Sequence, residues 1–188
     1  MNLAPPVNNI LTTQTNPIYT RRSWLKTKLK AGYRGEGMDD EILIIFGTET
    51  GNAEDLAVDI GNMASKHGLT GKIMDMEDVS VGDLSSSKRL IVSISTWGEG
   101  EQPDNAQRLY DEVEGSDIDS MEGVNYAVLA LGDTAFELFC ESGKEWDRIL
   151  EEKGGTRVNK RIDCDTDYYD YVDEWIKSTL SMMRLLPS

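Results

Sequence analysis

The chain alternates between short apolar runs and amphipathic stretches. Ile42-Leu43-Ile44-Ile45-Phe46 is five apolar residues in a row, β-branched and aromatic, and predicts a strand buried on both faces. Beyond a polar break, Leu56, Ile60 and Met63 recur at helical spacing, and the pattern closes at His67 and Gly68, a solvated C-terminal residue followed by a glycine stop. Thr70 to Met74 reads as a short second strand, followed by an acidic loop with Asp75, Glu77 and Asp78. Arg89 to Ser95, carrying Leu90, Ile91, Val92 and Ile94, is a third buried strand, and Gln107 to Val113 is helical. Tyr126 to Leu131 is a fourth strand. Gly143 to Lys153 is a helix with Trp146, Ile149 and Leu150 at core spacing, stopped by Gly154 and Gly155. Thr156 to Ile162 predicts a short fifth strand, and Tyr168 to about Leu185 a final helix. Strands alternating with helices imply an α/β domain whose parallel sheet is covered on both faces. In such sheets ligands bind beyond the carboxyl ends of the strands, where the strand order reverses.

Three of those strand ends are chemically unusual. The first strand runs into Gly47-Thr48-Glu49-Thr50-Gly51-Asn52-Ala53 at the start of a helix. Amides at a helix start are unpaired and carry partial positive charge, so they suit an anion. Thr48, Thr50 and Asn52 add neutral side-chain groups, which favours holding a phosphate by hydrogen bonds rather than by a cation. The competing reading is an ordinary strand-to-helix turn capped by Thr50 or Asn52. No Lys follows the glycine, so a nucleoside-triphosphate P-loop is excluded, and the glycine spacing is not that of a dinucleotide fold.

The third strand ends in Ser95-Thr96-Trp97-Gly98-Glu99-Gly100-Glu101-Gln102-Pro103-Asp104-Asn105, where Trp97 can offer a flat face to a planar ligand. The fourth ends in Leu131-Gly132-Asp133-Thr134-Ala135-Phe136-Glu137-Leu138-Phe139-Cys140, which places a second aromatic just past a strand-terminal glycine. Either ring could instead fold inward as core. Taken together, a phosphate cradle and two aromatic-bearing loops at strand ends describe a site for a phosphorylated planar ring.

Charge is divided unevenly. Up to Met38 there are six basic residues (Arg21, Arg22, Lys26, Lys28, Lys30, Arg34) against the single acid Glu36. The remainder holds 13 basic and 33 acidic residues, a net charge near −20. Such acidity argues against nucleic acid as the main partner and suits docking to a basic protein face. Residues 1–38, with Pro5, Pro6 and Pro17 and then Gly32, Gly35 and Gly37, read as a flexible basic arm, and residues 39–188 as the domain. Met1 to Gln14 lack the charged start and apolar core of a secretory signal, and no apolar run reaches the length of a membrane span. Cys140 and Cys164 are far apart in sequence and not in a metal-like pair, so a cytoplasmic location is expected. The lone His67 leaves no histidine-based metal or nucleophile site to expect.

The ordered motifs resemble the flavodoxin superfamily, in particular the FMN-binding domain of diflavin reductases. Thr48-Glu49-Thr50-Gly51-Asn52-Ala53 resembles the family's FMN-phosphate loop. Thr96-Trp97-Gly98-Glu99-Gly100, continuing to Pro103, Asp104, Asn105 and Ala106, resembles the loop over one face of the ring. Leu131-Gly132-Asp133-Thr134, then Phe136-Glu137, Phe139-Cys140 and Ser142-Gly143-Lys144, resembles the loop over the other. The stretch through Gly154-Gly155 and Arg161-Ile162-Asp163-Cys164-Asp165 is most similar to the flavoprotein subunit of sulfite reductase. The resemblance implies a flavodoxin-like three-layer sandwich with a five-stranded parallel sheet in the order 2-1-3-4-5, of the short-chain type.

It also implies FMN as cofactor, with Thr48, Thr50, Asn52 and the amides from Glu49 to Ala53 on the phosphate. Trp97 and Phe136 would sandwich the ring, and Ser95, Thr96, Gly98, Leu131, Gly132, Asp133, Phe139, Cys140, Cys164 and Asp165 would complete the cofactor site. Cys164 is equally readable as a small buried residue. The family often has Tyr where this chain has Phe136, and Tyr or Gln where it has Trp97. The acidic residues Glu99, Glu101, Asp133, Glu137 and Asp165 would disfavour an anionic reduced ring, giving a strongly reducing flavin. By resemblance, the Gly98 carbonyl would turn toward ring N5 on one-electron reduction. The expected function is single-electron transfer from a separate FAD- and NAD(P)H-binding reductase to a haem, iron–sulfur or other metalloenzyme, docking on the acidic rim. An FMN-dependent reductase in its own right, or a binding module without FMN, are the alternatives. The sequence ends where a diflavin reductase would continue into its FAD- and NADPH-binding module, so this polypeptide alone is not expected to oxidise NADPH.

Overall fold

The Ile42–Phe46 run becomes the centre of strand β1 (Glu41–Gly47), and every residue of that run is buried. The structure, a computed structural model, describes residues 40–187. The basic arm expected over residues 1–38 lies outside the described residues. After β1 come α1 (Asn52–Ala64), β2 (Thr70–Asp75), α2 (Val81–Ser86), β3 (Arg89–Ser95), α3 (Asp104–Glu114) and β4 (Asn125–Leu131). The order continues with α4 (Glu141–Glu152), β5 (Thr156–Arg157), β6 (Ile162–Cys164) and α5 (Tyr169–Arg184). All strand pairs are parallel, in the order β2-β1-β3-β4-β5, with β6 also on β4.

Strand alternation divides the apolar residues between two cores. Ile42, Ile44 and Phe46 face Leu56 and Ile60 of α1 and Ile176 and Leu180 of α5. Leu43 and Ile45 face the opposite layer, with Leu109 and Val113 of α3 and Trp146 and Ile149 of α4. The result is helix, sheet, helix: the three-layer sandwich. The almost fully buried Arg89 ties the start of β3 to the end of α5, donating to the carbonyls of Met183 (2.8 Å) and Leu186 (3.3 Å).

Two elements differ from the sequence expectation. The acidic loop after β2 contains α2, and its signal is a capping box: Ser80 Oγ accepts from the Asp83 amide while the Asp83 carboxylate accepts from the Ser80 amide. The fifth strand is split into β5 and β6, both paired with β4. Between them the Val158 amide still donates to the Tyr126 carbonyl of β4, and at Lys160 side chains take over: the Trp175 indole donates to its carbonyl, and Asn159 accepts from its amide while donating to Thr179.

Asp147 staples the two pieces together. Its carboxylate is almost buried and takes Arg157 Nε at 2.7 Å and Arg161 Nη1 at 2.9 Å. Arg157 and Arg161 flank the break, so one carboxylate fixes both sides of it. Asp147→Ala is expected to unlink the two guanidiniums, each of which keeps one carboxylate (Glu151 on Arg157, Asp163 on Arg161), and to cost about 1 kcal/mol. A urea unfolding midpoint unchanged by this substitution would remove the staple from the account.

Candidate functional site

The switch in strand order falls between β1 and β3, since β2 lies on one side of β1 and β3 on the other. The strand register there is tight: Gly47 pairs with Ile94, and Ser95 with Leu131. Three strands therefore end level and side by side, and the three unusual loops emerge together.

The first loop is shaped by its own hydroxyl. Thr48 Oγ1 accepts from the Gly51 amide at 3.0 Å, and the Thr48 amide donates to Asn105 Oδ1 at 2.9 Å. Gly51, with φ of 94°, occupies the cap position of α1, and no side chain caps that helix. Glycine takes this left-handed conformation without penalty. The capping role considered for Thr50 and Asn52 is thus not used, and both are exposed. The amides of Asn52 and Ala53, at the helix start, have no intrahelical partner. A set of hydroxyl, amide and backbone N–H donors with no cation among them is left facing out of the turn.

The second loop, after β3, closes on itself. Trp97 and Glu101 exchange both backbone hydrogen bonds, at 3.0 and 2.8 Å. Helix α4 holds its base: the Ser142 amide donates to Thr96 Oγ1 and the Ser142 hydroxyl to the Glu101 carbonyl. The buried Trp146 indole donates to Gln102 Oε1 at 3.0 Å. With the loop fixed in this way, the Trp97 side chain remains 53% exposed.

The third loop, after β4, is tied to the far edge of the sheet. The Gly132 amide donates to the Cys164 carbonyl at 2.9 Å. Asp165 accepts from both the Thr134 amide (3.2 Å) and the Thr134 hydroxyl (2.5 Å), while its own amide donates to the Tyr171 hydroxyl. Those Thr134 bonds, with one from the Thr166 amide, hold the Asp165 carboxyl below the usual carboxylate range. Phe136 stands 60% exposed at the tip, so neither expected stacking ring folds into the core.

Between the loops lies a cleft of about 540 Å³, within the range of small-molecule sites. The first loop lines it with Glu49, Thr50 and Asn52, and the second with Ser95, Thr96, Trp97 and Gly98. From the third come Leu131, Gly132, Asp133, Phe136, Leu138 and Cys140. The other expected site residues lie behind the wall. Thr48 and Gly51 shape the first turn; Ala53 is buried, with its carbonyl taken by Ser93 Oγ; Phe139 packs beside Gly132. Cys164 is fully buried, and Asp165 fastens the third loop through Thr134. Burial pushes both thiols up to about 12, so Cys140 and Cys164 are not nucleophiles at neutral pH.

Two contributors were not among the expected site residues. Leu138 adds an exposed apolar contact to the cleft wall. Asn105 joins Thr48 to Asp75, accepting from one and donating to the other at 2.9 Å each. Glu49, expected on the phosphate through its amide, has a further contact: its Oε1 accepts from the Asp104 amide at 2.7 Å and so couples the first loop to the start of α3. The Asp104-Asn105 pair in the second motif was the signal available for the last two of these contacts.

The flavodoxin family model matches residues 44–175, a span that includes all three loops. The chain belongs to the flavodoxin family. Among its curated relatives, the sulfite reductase [NADPH] flavoprotein alpha-component of Bacillus subtilis is 39% identical over 140 residues, covering 74% of this chain and 23% of that protein. The component of the same name from Vibrio cholerae is 34% identical over 156 residues, covering 83% of this chain and 25% of that protein. The chain thus spans about a quarter of the length of these relatives. Of the solved structures, a Streptococcus flavodoxin superposes with a TM-score of 0.65 at 24% identity, over 76% of this chain and 94% of that one. A Pseudomonas aeruginosa flavodoxin variant gives 0.67 at 23% identity, over 77% and 99%. These likenesses support the order 2-1-3-4-5 and the flavodoxin-like fold.

Membership in the flavodoxin family supports FMN as the cofactor, and the donor chemistry of this flavodoxin fits it. A hydrogen-bonding turn without a cation suits a phosphate, and two exposed rings on loops lining one cleft suit a planar heterocycle. Because the Asp165 carboxyl titrates below its ordinary value, the clasp on Thr134 is fully formed above that value and is lost as pH falls through the depressed one. Asp165→Ala is expected to weaken FMN binding about fivefold at neutral pH. The affinity ratio between the native protein and the variant should fall toward one as the pH is lowered into the acid range. Fluorescence titration of FMN at several pH values measures this, and a pH-independent ratio would remove the clasp from the site.

Proposed function

We propose that this domain binds FMN across the three loops and transfers single electrons between a separate reductase carrying FAD and NAD(P)H and an acceptor protein with a haem, iron–sulfur or other metal centre. The observation that carries this reading is that two exposed aromatics, Trp97 and Phe136, stand on loops lining one cleft together with a donor turn that holds no cation, at the switch point of the sheet. The names of the relatives, NADPH-dependent reductase flavoproteins, support the same direction of electron flow.

When bound, the flavin supplies the redox chemistry, accepting two electrons and releasing them singly. The chain's residues do the rest. Thr50, Asn52 and the first amides of α1 hold the phosphate, with Thr48 shaping the turn around it. Trp97 and Phe136 cover the two faces of the ring and exclude water from it. Glu99, Glu101, Asp133 and Glu137 place negative charge near the ring, so added electron density there is unfavourable and the reduced cofactor is a strong donor. The same carboxylates steer a basic partner face toward the exposed ring edge, with rates that fall as salt rises. Among the described residues no helix is long and apolar enough to cross a membrane.

Anaerobic reduction of the FMN-loaded protein, followed by visible absorbance, tests the reading. A long-wavelength band that rises and then falls as electrons are added marks a one-electron stage and is the expected result. Purified protein that retains no flavin after incubation with FMN would overturn the proposal. Trp97→Ala is expected to weaken FMN binding by about tenfold or more, the worth of one lost aromatic stack. Unchanged affinity in that variant would dismiss the sandwich.

A further inference from the structure

The cleft-lining loop after β3 contains a carboxylate turned back against its own backbone. Glu101 has a fixed starting point, because its amide and carbonyl are bonded to Trp97 and its carbonyl also accepts from the fully buried Ser142. From that anchor the side chain folds across the loop, and its Oε2 accepts from the Glu99 amide at 3.1 Å. The carboxylate occupies the space that a Cβ on residue 98 would fill. Gly98 itself stands at φ of 50°, so the glycine admits both the backbone conformation and the carboxylate.

The peptide joining Gly98 to Glu99 is a planar unit, with its carbonyl and its N–H on opposite sides. Holding the N–H therefore also fixes the direction of the carbonyl, and Gly98 is part of the cleft wall. We propose that Glu101 is a positioning residue, a latch that sets which polar end of the Gly98–Glu99 peptide faces the cofactor. The acceptor is a carboxylate, which strengthens the bond relative to a neutral one. With the latch removed, a peptide preceded by glycine turns over at little cost, and the loop presents a mixture of carbonyl and N–H. What the peptide faces rests on the FMN reading above; the latch itself is a bond within the chain.

Solvent exchange of the Glu99 amide, measured by NMR on flavin-free protein, reads the latch directly. Glu101→Ala is expected to speed that exchange about tenfold, and Glu101→Gln to restore most of the protection because its carbonyl accepts the same bond. The Trp97 amide, bonded to the Glu101 backbone, should be unaffected in both variants. Equal exchange at Glu99 in the native protein and Glu101→Ala overturns the proposal. Glu101→Gln behaving like Glu101→Ala overturns it as well, since the effect would then be one of charge on hydroxide rather than of a hydrogen bond. In the FMN-loaded protein, the separation between the two one-electron potentials should shift further in Glu101→Ala than in Glu101→Gln, the difference between these two neutral variants reading the hydrogen bond apart from the charge, with little change in melting temperature. Coincident potentials in the native protein and Glu101→Ala would reject the positioning role. Failure of every variant, and of the native protein, to bind FMN would instead defeat the electron-carrier reading, while the exchange measurement would still decide whether the latch exists.

Discussion

The parallel register of β1, β3 and β4 is the constraint on which the site depends. Gly47 lies level with Ile94, and Ser95 with Leu131, so the three loops leave the sheet from one edge. That register is enforced from both faces. Ile42, Ile44 and Phe46 belong to one core, and Leu43 and Ile45 to the other. A one-residue slip of β1 would exchange those two sets and present each helix layer with side chains fitted to its opposite. An ordinary half-buried strand is specified by one face only. Here two independently packed cores fix the same alignment, and the relative placement of the loops follows from it.

On that base the loops are held by protein rather than by ligand. Glu49 reaches the start of α3, Asn105 joins Thr48 to Asp75, and Ser142 fastens both ends of the Trp97 loop. The Phe136 loop is bound at Gly132 and Thr134 to the segment that includes β6 and Asp165. Ordering a loop on binding costs conformational entropy, and these cross-ties supply much of that order beforehand. They also explain why the split fifth strand matters to the site. Asp147 holds Arg157 and Arg161 on either side of the break, and the β6 segment beyond it carries the Cys164 carbonyl and leads into Asp165. A charge network more than one element away thus supports the loop bearing one of the two stacking rings.

The parts of the fold that were readable in the sequence are those that depend on local pattern. β1, β3 and β4 are buried on both faces, so they appear as unbroken apolar runs, and the three motifs follow them directly. The break at 158–161 was marked only by the polar run Asn159-Lys160-Arg161 between Val158 and Ile162, and its partners, Trp175 and Thr179, come from a helix later in the chain. Helix α2 was hidden because its six residues carry little apolar periodicity, although Ser80 and Asp83 mark its start. In the site, Trp97 and Phe136 were identified as aromatics at strand ends, but only the packed loops decide that both face outward. Asp165 was expected at the cofactor; the structure shows it bonded to Thr134 and outside the cleft lining, a contact that the chain position of a carboxylate does not reveal.

The electrostatics of the domain give a reason for a proposed phosphate turn that holds no cation. Residues beyond Met38 carry a net charge near −20, and an anionic ligand approaching them is repelled at long range. A lysine or arginine in the turn would offset that repulsion locally. It would also add positive charge at the edge of the cleft, where Glu49, Glu99 and Asp133 set a negative rim. Backbone amides and hydroxyls act only at contact distance, so they can hold a phosphate without altering the field seen by an approaching protein. The division of labour is therefore spatial. Under the proposed function, short-range donors and aromatic faces would retain the cofactor, and the long-range acidic field would be left to the partner. The same field would make a negative charge on the ring unfavourable, so the carboxylates proposed to attract a basic partner would also make the cofactor readier to give up its electron.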